Sequence, residues 1–204
     1  MIKNKFSLVA GALLAGSFAL STAAYADDED APEAVSHKSE GVYFSGGVGY
    51  GIVSPDVGGG LGIGRHTGVV FGPALGYQFD VNAAVELGYI KLPKVTINGV
   101  ESMKDAYDIT LLVRGTIPLG ETWALFSKFG IGYLSYKSGS QAYTINGNTI
   151  DANSTHHNVV PVVGGGIMYH INQSLSLGIQ EIVTFNTGNA PMTYATIFGM
   201  THIF

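Results

Sequence analysis

Between Val69 and Asp80 the chain alternates strictly between two kinds of side chain. Phe71, Pro73, Leu75, Tyr77 and Phe79 occupy one set of positions, and Val70, Gly72, Ala74, Gly76 and Gln78 the other. The pattern recurs as Val85, Leu87 and Tyr89 against Ala84, Glu86 and Gly88. It recurs again as Tyr107, Ile109, Leu111 and Val113 against Asp108, Thr110, Leu112, Arg114 and Thr116. A fourth case sets Trp123, Leu125, Phe129, Ile131 and Tyr133 against Phe126, Lys128, Gly130 and Gly132. Strict period-two alternation over about ten residues is the signature of a β-strand. Eight such runs lie near 41–52, 68–80, 83–92, 105–118, 122–136, 157–171, 174–185 and 193–204.

The connections between these runs alternate in length. Val81-Asn82, Leu119-Gly120-Glu121 and Asn172-Gln173 are tight, whereas 53–67, 93–104, 137–156 and 186–192 are long and rich in Gly, Asn, Ser and Pro. One face of each run is bulky and apolar, and the other is small or polar. A soluble sandwich would bury the bulky face and show repeated glycines to water, where strands ordinarily carry Lys, Glu, Thr or Ser. A membrane barrel inverts the arrangement, with bulky residues toward lipid and small ones filling the lumen. The pattern therefore predicts an all-β fold, an eight-stranded antiparallel up-and-down transmembrane β-barrel with short periplasmic turns and four longer extracellular loops. Tyr50, Phe79, Tyr89, Tyr107, Trp123, Tyr133, Tyr169, Tyr194 and Phe204 fall near strand ends, as interfacial girdles require.

Composition agrees. Of 204 residues, 46% are apolar and only 12% charged, with 29 glycines, against about 25% charged and about 7% glycine in soluble domains. The absence of cysteine excludes a disulfide scaffold and a thiolate metal site. A net charge of −5 with scattered Lys and Arg excludes a nucleic-acid-binding face. The longest apolar stretch, Phe6 to Leu20, is about 15 residues, short of the roughly 20 that a transmembrane helix needs. It follows Lys3 and Lys5 and leads to Ala24-Tyr25-Ala26, the layout of a cleaved secretory signal. The expected organisation is a signal peptide over 1–26, an acidic disordered periplasmic tail over 27–40, and the barrel over 41–204. The product is an exported protein destined for the bacterial outer membrane.

The segments Gly47-Val48-Gly49-Tyr50-Gly51, Ala74-Leu75-Gly76-Tyr77-Gln78, Val85-Glu86-Leu87-Gly88-Tyr89 and Val160 to Gly166, with the ending Met200-Thr201-His202-Ile203-Phe204, resemble the small outer-membrane barrels of the OmpA/OmpX type. The resemblance covers about 41–204. It implies that the last strand is read by the barrel-assembly machinery and periplasmic chaperones through Phe204, Met200 and Phe198. His202 stands where that family usually has Tyr. The peptidoglycan-binding domain of the family's namesake has no counterpart in this sequence.

Glu86, Arg114 and Lys128 fall on the lumen faces of the third, fourth and fifth runs. Near-symmetric hairpins would bring all three to one level. The resemblance implies that the third-strand acid bridges the fourth-strand base, Glu86 to Arg114. Met168 stands where a second acid is expected, so two bases face one acid. Counting by twos puts Glu181 on the lipid face, yet a β-bulge near Gly178 would turn it inward. Glu181 is therefore expected to be the second lumen acid. The resulting salt-bridge network is read as a plug, since eight strands enclose just enough space for side chains to fill.

His156-His157 lie in the third long loop, but zinc needs three or four converging ligands, so no metal or cofactor is expected. Lipid A deacylase barrels use a His-x-Ser pair, and neither Ser36-His37 nor His170-Ile171-Asn172 has that spacing. No catalytic residue is assigned. The expected role is structural and surface-interactive: envelope integrity or adhesion through the extracellular loops, amid outer-membrane lipid and lipopolysaccharide. Host or surface ligands are the expected loop partners. The alternative is a passive conduit for small or apolar solutes, like the OmpW-type barrels, suggested by a glycine-rich lumen with Val160, Val162, Met168 and Ile197.

Overall fold

The alternation forms long antiparallel strands whose backbone groups pair with neighbours on both sides, which is the condition for crossing lipid without a helix. The computed structural model describes residues 40–54, 66–97, 100–139, 143–145, 148–185, 187 and 190–204. The expected signal peptide and nearly all of the acidic tail lie outside the described residues. The strands are β1 (Gly41–Ser54), β2 (His66–Gln78), β3 (Ala83–Lys91), β4 (Val95–Ile97), β5 (Val100–Leu119), β6 (Trp123–Ser138), β7 (Tyr143–Ile145), β8 (Asn148–Ile150), β9 (Thr155–His170), β10 (Leu175–Thr184) and β11 (Met192–Ile203). Eight of them are long. Each pairs with its sequence neighbour, and β1 pairs with β11 from Tyr43↔Ile203 to Ser54↔Met192. That last ladder closes the barrel.

The register fixes its shape. From Gly76 one row of partners runs through Glu86, Leu112, Gly130, Val162, Thr184, Thr193 and Val53 and returns to β2 at His66, ten residues up the strand. With a rise near 3.3 Å per residue and strands about 4.8 Å apart, that stagger over eight strands tilts them by about 40°. Each pairing row therefore climbs as it circles the barrel.

The predicted strands differ from the observed ones mainly at the outer ends. The connection at 93–104 is largely continued ladder, because β4 pairs with the start of β5. A β-bulge between Lys104 and Tyr107, with Asp105 at φ 53°, turns the top of β5. Within the third long connection, β7 and β8 form a small hairpin. The periplasmic turns are tight, and two are held by side chains: Asp80 accepts from the Asn82 and Ala83 amides, and Asn172 from those of Ser174 and Leu175.

The outward face is largely apolar. Val48, Val69, Leu75, Leu87, Leu111 and Ile131 are each about half exposed or more, the belt a bilayer requires. Aromatics ring both edges. Trp123 and Tyr169 pack at 4.9 Å and Tyr77 and Phe79 at 5.3 Å near the periplasmic turns. Phe71–Tyr89 at 6.3 Å and Tyr89–Tyr107 at 5.7 Å mark the outer edge.

Candidate functional site

Inside, the lumen has two layers. The outer half is mainly apolar: Val53, Val70, Leu112, Leu134, Tyr136 and Val160 belong to one buried cluster, with Val70 and Leu134 at 0% exposure, and buried Asp108, Thr184 and Thr193 interrupt it. Below it stand the charges. Lys128 Nζ donates to Glu86 Oε1 at 2.7 Å, and both side chains are 4% exposed. The Tyr43 hydroxyl donates to Glu86 Oε2 at 3.0 Å. Arg114 Nη2 donates to Gln78 Oε1 at 2.9 Å, and its guanidinium lies 4.6 Å from the centre of the Tyr43 ring, a cation–π contact.

Glycine makes this arrangement possible. Tyr43, Gly76 and Glu86 are consecutive across β1, β2 and β3. A Cβ on Gly76 would overlap the Tyr43 ring, so only glycine lets the ring lie across β2 to reach the carboxylate. Higher up, Gly132 similarly leaves room for the Asp108 carboxylate. Asp108, 1% exposed, accepts from the Thr184 hydroxyl at 3.0 Å across the lumen.

The structure brings Glu86, Arg114 and Lys128 together, with partners that differ from those expected. The ion pair is Glu86–Lys128, and Arg114 binds the amide of Gln78 and the Tyr43 ring instead. Glu181 does not join them. The ladder from Leu175↔His202 to Thr184↔Thr193 runs without a register shift, so the expected bulge is absent and Glu181 is exposed on the outer face beside Ile179. A bulge there would reverse the phase of Ile182 and Thr184, turning the first out of the apolar layer and breaking the Thr184–Asp108 bond. A carboxylate in the apolar belt costs less than the roughly 2–4 kcal/mol of a lysine at the midplane, and the structure tolerates it.

Met200, Phe198 and Phe204 face outward on the final strand at 52%, 58% and 64% exposure. His202 is outward too and packs on Phe204 at 4.8 Å. Met168 lines the lumen, as its phase predicts.

Sequence reading missed Tyr43, Gln78 and the Asp108–Thr184 contact. It also missed a polar knot at the outer end of β6. The Ser154 amide donates to Ser138 Oγ at 2.8 Å, and His156 Nε2 lies 2.6 Å from Ser154 Oγ. This is within the reach of a nucleophile and its base. However, Ser154 Oγ also donates to the Asp151 carbonyl at 2.6 Å, so its one proton is committed to the loop backbone, and the knot reads as a structural tie. Among the described residues, no three metal-ligating side chains converge.

A closed barrel with an apolar belt and aromatic edges defines an eight-stranded outer-membrane protein. A family model described as the OmpA-like transmembrane domain matches residues 37–201. The chain belongs to that family and resides in the bacterial outer membrane. Similar solved structures share its fold at low identity. Neisserial surface protein A is 12% identical with a TM-score of 0.60, over 80% of this chain and 97% of that one. Ail of Yersinia pestis, in complex with the heparin analogue sucrose octasulfate, is 12% identical at 0.53, over 81% and 99%. OprG of Pseudomonas aeruginosa is 13% identical at 0.50, over 83% and 100%. No curated protein matches the chain by sequence.

Proposed function

We propose that this protein is a closed barrel serving envelope integrity or adhesion, with its contacts made through the extracellular loops and strand ends and its lumen plugged. The observation that carries this reading is the two-layer interior, in which Val70 and Leu134 have no solvent exposure above the Glu86–Lys128 pair. A filled lumen leaves the outer surface as the place for function. Lys91, Lys104 and Lys137 stand at or near the outer ends of β3, β5 and β6, and Lys94 lies in the link between β3 and β4. This lysine-bearing rim, in which Lys137 also pairs with Asp105 at 3.5 Å, draws anionic surface polymers through its field. The heparin analogue on Ail agrees with that chemistry.

The test is adhesion of cells displaying the protein to a sulfated-polysaccharide surface. Charge reversal at Lys91, Lys104 and Lys137 is expected to lower adhesion several-fold at unchanged surface levels. Adhesion that ignores the reversal rejects the rim as the contact. The second reading, a conduit for small apolar solutes, draws on the glycines lining the lumen cavity, and wild-type conductance separates the two.

The exposed end of β11 supports a role for Phe204, with Met200, Phe198 and His202, in presentation to the barrel-assembly machinery. Deleting Phe204 should leave refolding in detergent nearly intact and reduce outer-membrane levels in cells. Normal levels of the deletion protein would count against that role.

A further inference from the structure

At the level of the charged layer the lumen holds more positive than negative charge. Glu86 accepts from Lys128 at one oxygen and from Tyr43 at the other. Arg114 is 5% exposed, and its hydrogen-bond acceptor, Gln78, is neutral. Its Nε is buried without a hydrogen-bond partner. Among the described residues no carboxylate pairs with it. Asp108, the other buried acid, sits six residues away along β5, roughly 20 Å of strand, and belongs to the apolar layer. Glu86 therefore faces two buried cations, Lys128 and Arg114, and the layer keeps one positive charge that no carboxylate among the described residues pairs, which burial makes costly.

The space for one lies beside it. A cavity of about 50 Å³, lined largely by glycines and apolar side chains, also presents Arg114, Lys128, Glu86 and Gln180 with the hydroxyls of Ser45, Thr110 and Thr201. Its polar groups are a guanidinium, an ammonium, three hydroxyls and an amide, and the carboxylate among the lining residues already accepts two bonds. One water needs roughly 10–15 Å³ of such space, so the cavity has room for a halide with a water or two. Water alone would satisfy the Arg114 Nε–H but would leave the charge.

We propose that this cavity is a binding site for a small monovalent anion of halide size, held by Arg114 and Lys128 as the counter-ion that the chain does not supply. The inference is independent of what the loops contact.

The test uses protein purified from outer membranes and reconstituted in phospholipid vesicles. Its urea midpoint is compared in sodium chloride, sodium bromide and sodium gluconate at one ionic strength. The wild type should unfold at higher urea in both halides, with a saturable dependence on halide concentration. Arg114→Gln removes the excess charge, and Gln180→Glu places a carboxylate in the cavity wall. Either change should abolish the halide dependence. Equal wild-type midpoints in the three salts overturn the proposal, as does a halide effect of undiminished size in the variants, which would locate it on the surface. If Arg114→Gln fails to refold, Gln180→Glu decides alone. Crystals grown in bromide give a second readout: anomalous density beside Arg114 supports the site, and a lumen without it rejects it.

Discussion

Glu86→Ala should destabilise the barrel by about 3–5 kcal/mol, because it strands a buried ammonium. Lys128 is 4% exposed and bonds Glu86 at 2.7 Å, and it stands directly opposite Arg114 in the β5–β6 ladder. Removing the acid leaves two cations side by side with no carboxylate between them. Lys128→Ala should cost less. Glu86 then keeps the Tyr43 hydroxyl, and Arg114 remains on the next strand as a cation that can turn to it. The double variant should be more stable than the sum of the single losses implies, since contacting residues couple by about 0.5–3 kcal/mol. Urea unfolding of the wild type, both single variants and the double variant in phospholipid vesicles measures this cycle. Strict additivity would mean that the 2.7 Å contact contributes nothing. Greater coupling of Glu86 to Arg114 than to Lys128 would restore the pairing that the family resemblance implies.

That difference in partner shows where the sequence stops being informative. The faces of β2, β3, β5 and β6 were legible position by position, because alternation follows from strand geometry alone. Partners inside the barrel were not. Symmetric hairpin counting places Glu86, Arg114 and Lys128 level, but pairing rows climb around a tilted barrel. Glu86 is opposite Leu112, and Lys128 is opposite Arg114 in the next lumen row down β5. Two strand steps at a tilt of about 40° raise β6 by roughly 6 Å relative to β3, which lifts Lys128 to the height of Glu86. The ten-residue stagger behind that climb is a property of the closed sheet and of no single segment. Gly76 was legible as a lumen residue, but nothing local says that an aromatic ring from β1 fills the space above it. At Glu181 plain alternation was correct, and the cost of a lipid-facing carboxylate was the misleading guide. Flipping the strand would have sacrificed Ile182 and Thr184, whose lumen contacts come from distant strands. The Ser154–His156 contact depends on the local path of a loop, which hydrophobic period does not describe.

Leu134→Ala should both weaken the barrel and open it. Leu134 has no exposed surface and lies between Asp108 on β5 and Asn158 on β9 in the pairing register. Truncating a buried leucine to alanine costs about 2–5 kcal/mol, the spread reflecting how far the site collapses. Collapse is limited here, because the surrounding residues sit on eight strands whose ladders close on themselves. The space left by the missing methyls therefore persists above the charged layer, next to the unpartnered Asp108 Oδ1 and Asn158 Nδ2, polar atoms that water can reach once the leucine is gone. Hydration at that point thins the apolar layer between the outer mouth and the cavity below. Single-channel recording should then show brief, infrequent openings in the wild type and longer or more frequent ones in Leu134→Ala. Arg114→Ala should change conductance little, since the apolar layer above it stays intact. A conduit makes the opposite pair of predictions. Its wild type conducts steadily, its flow responds sharply to the loss of a lumen charge, and Leu134→Ala alters stability alone. The two readings thus place the barrier in different layers, and these recordings identify which layer carries it.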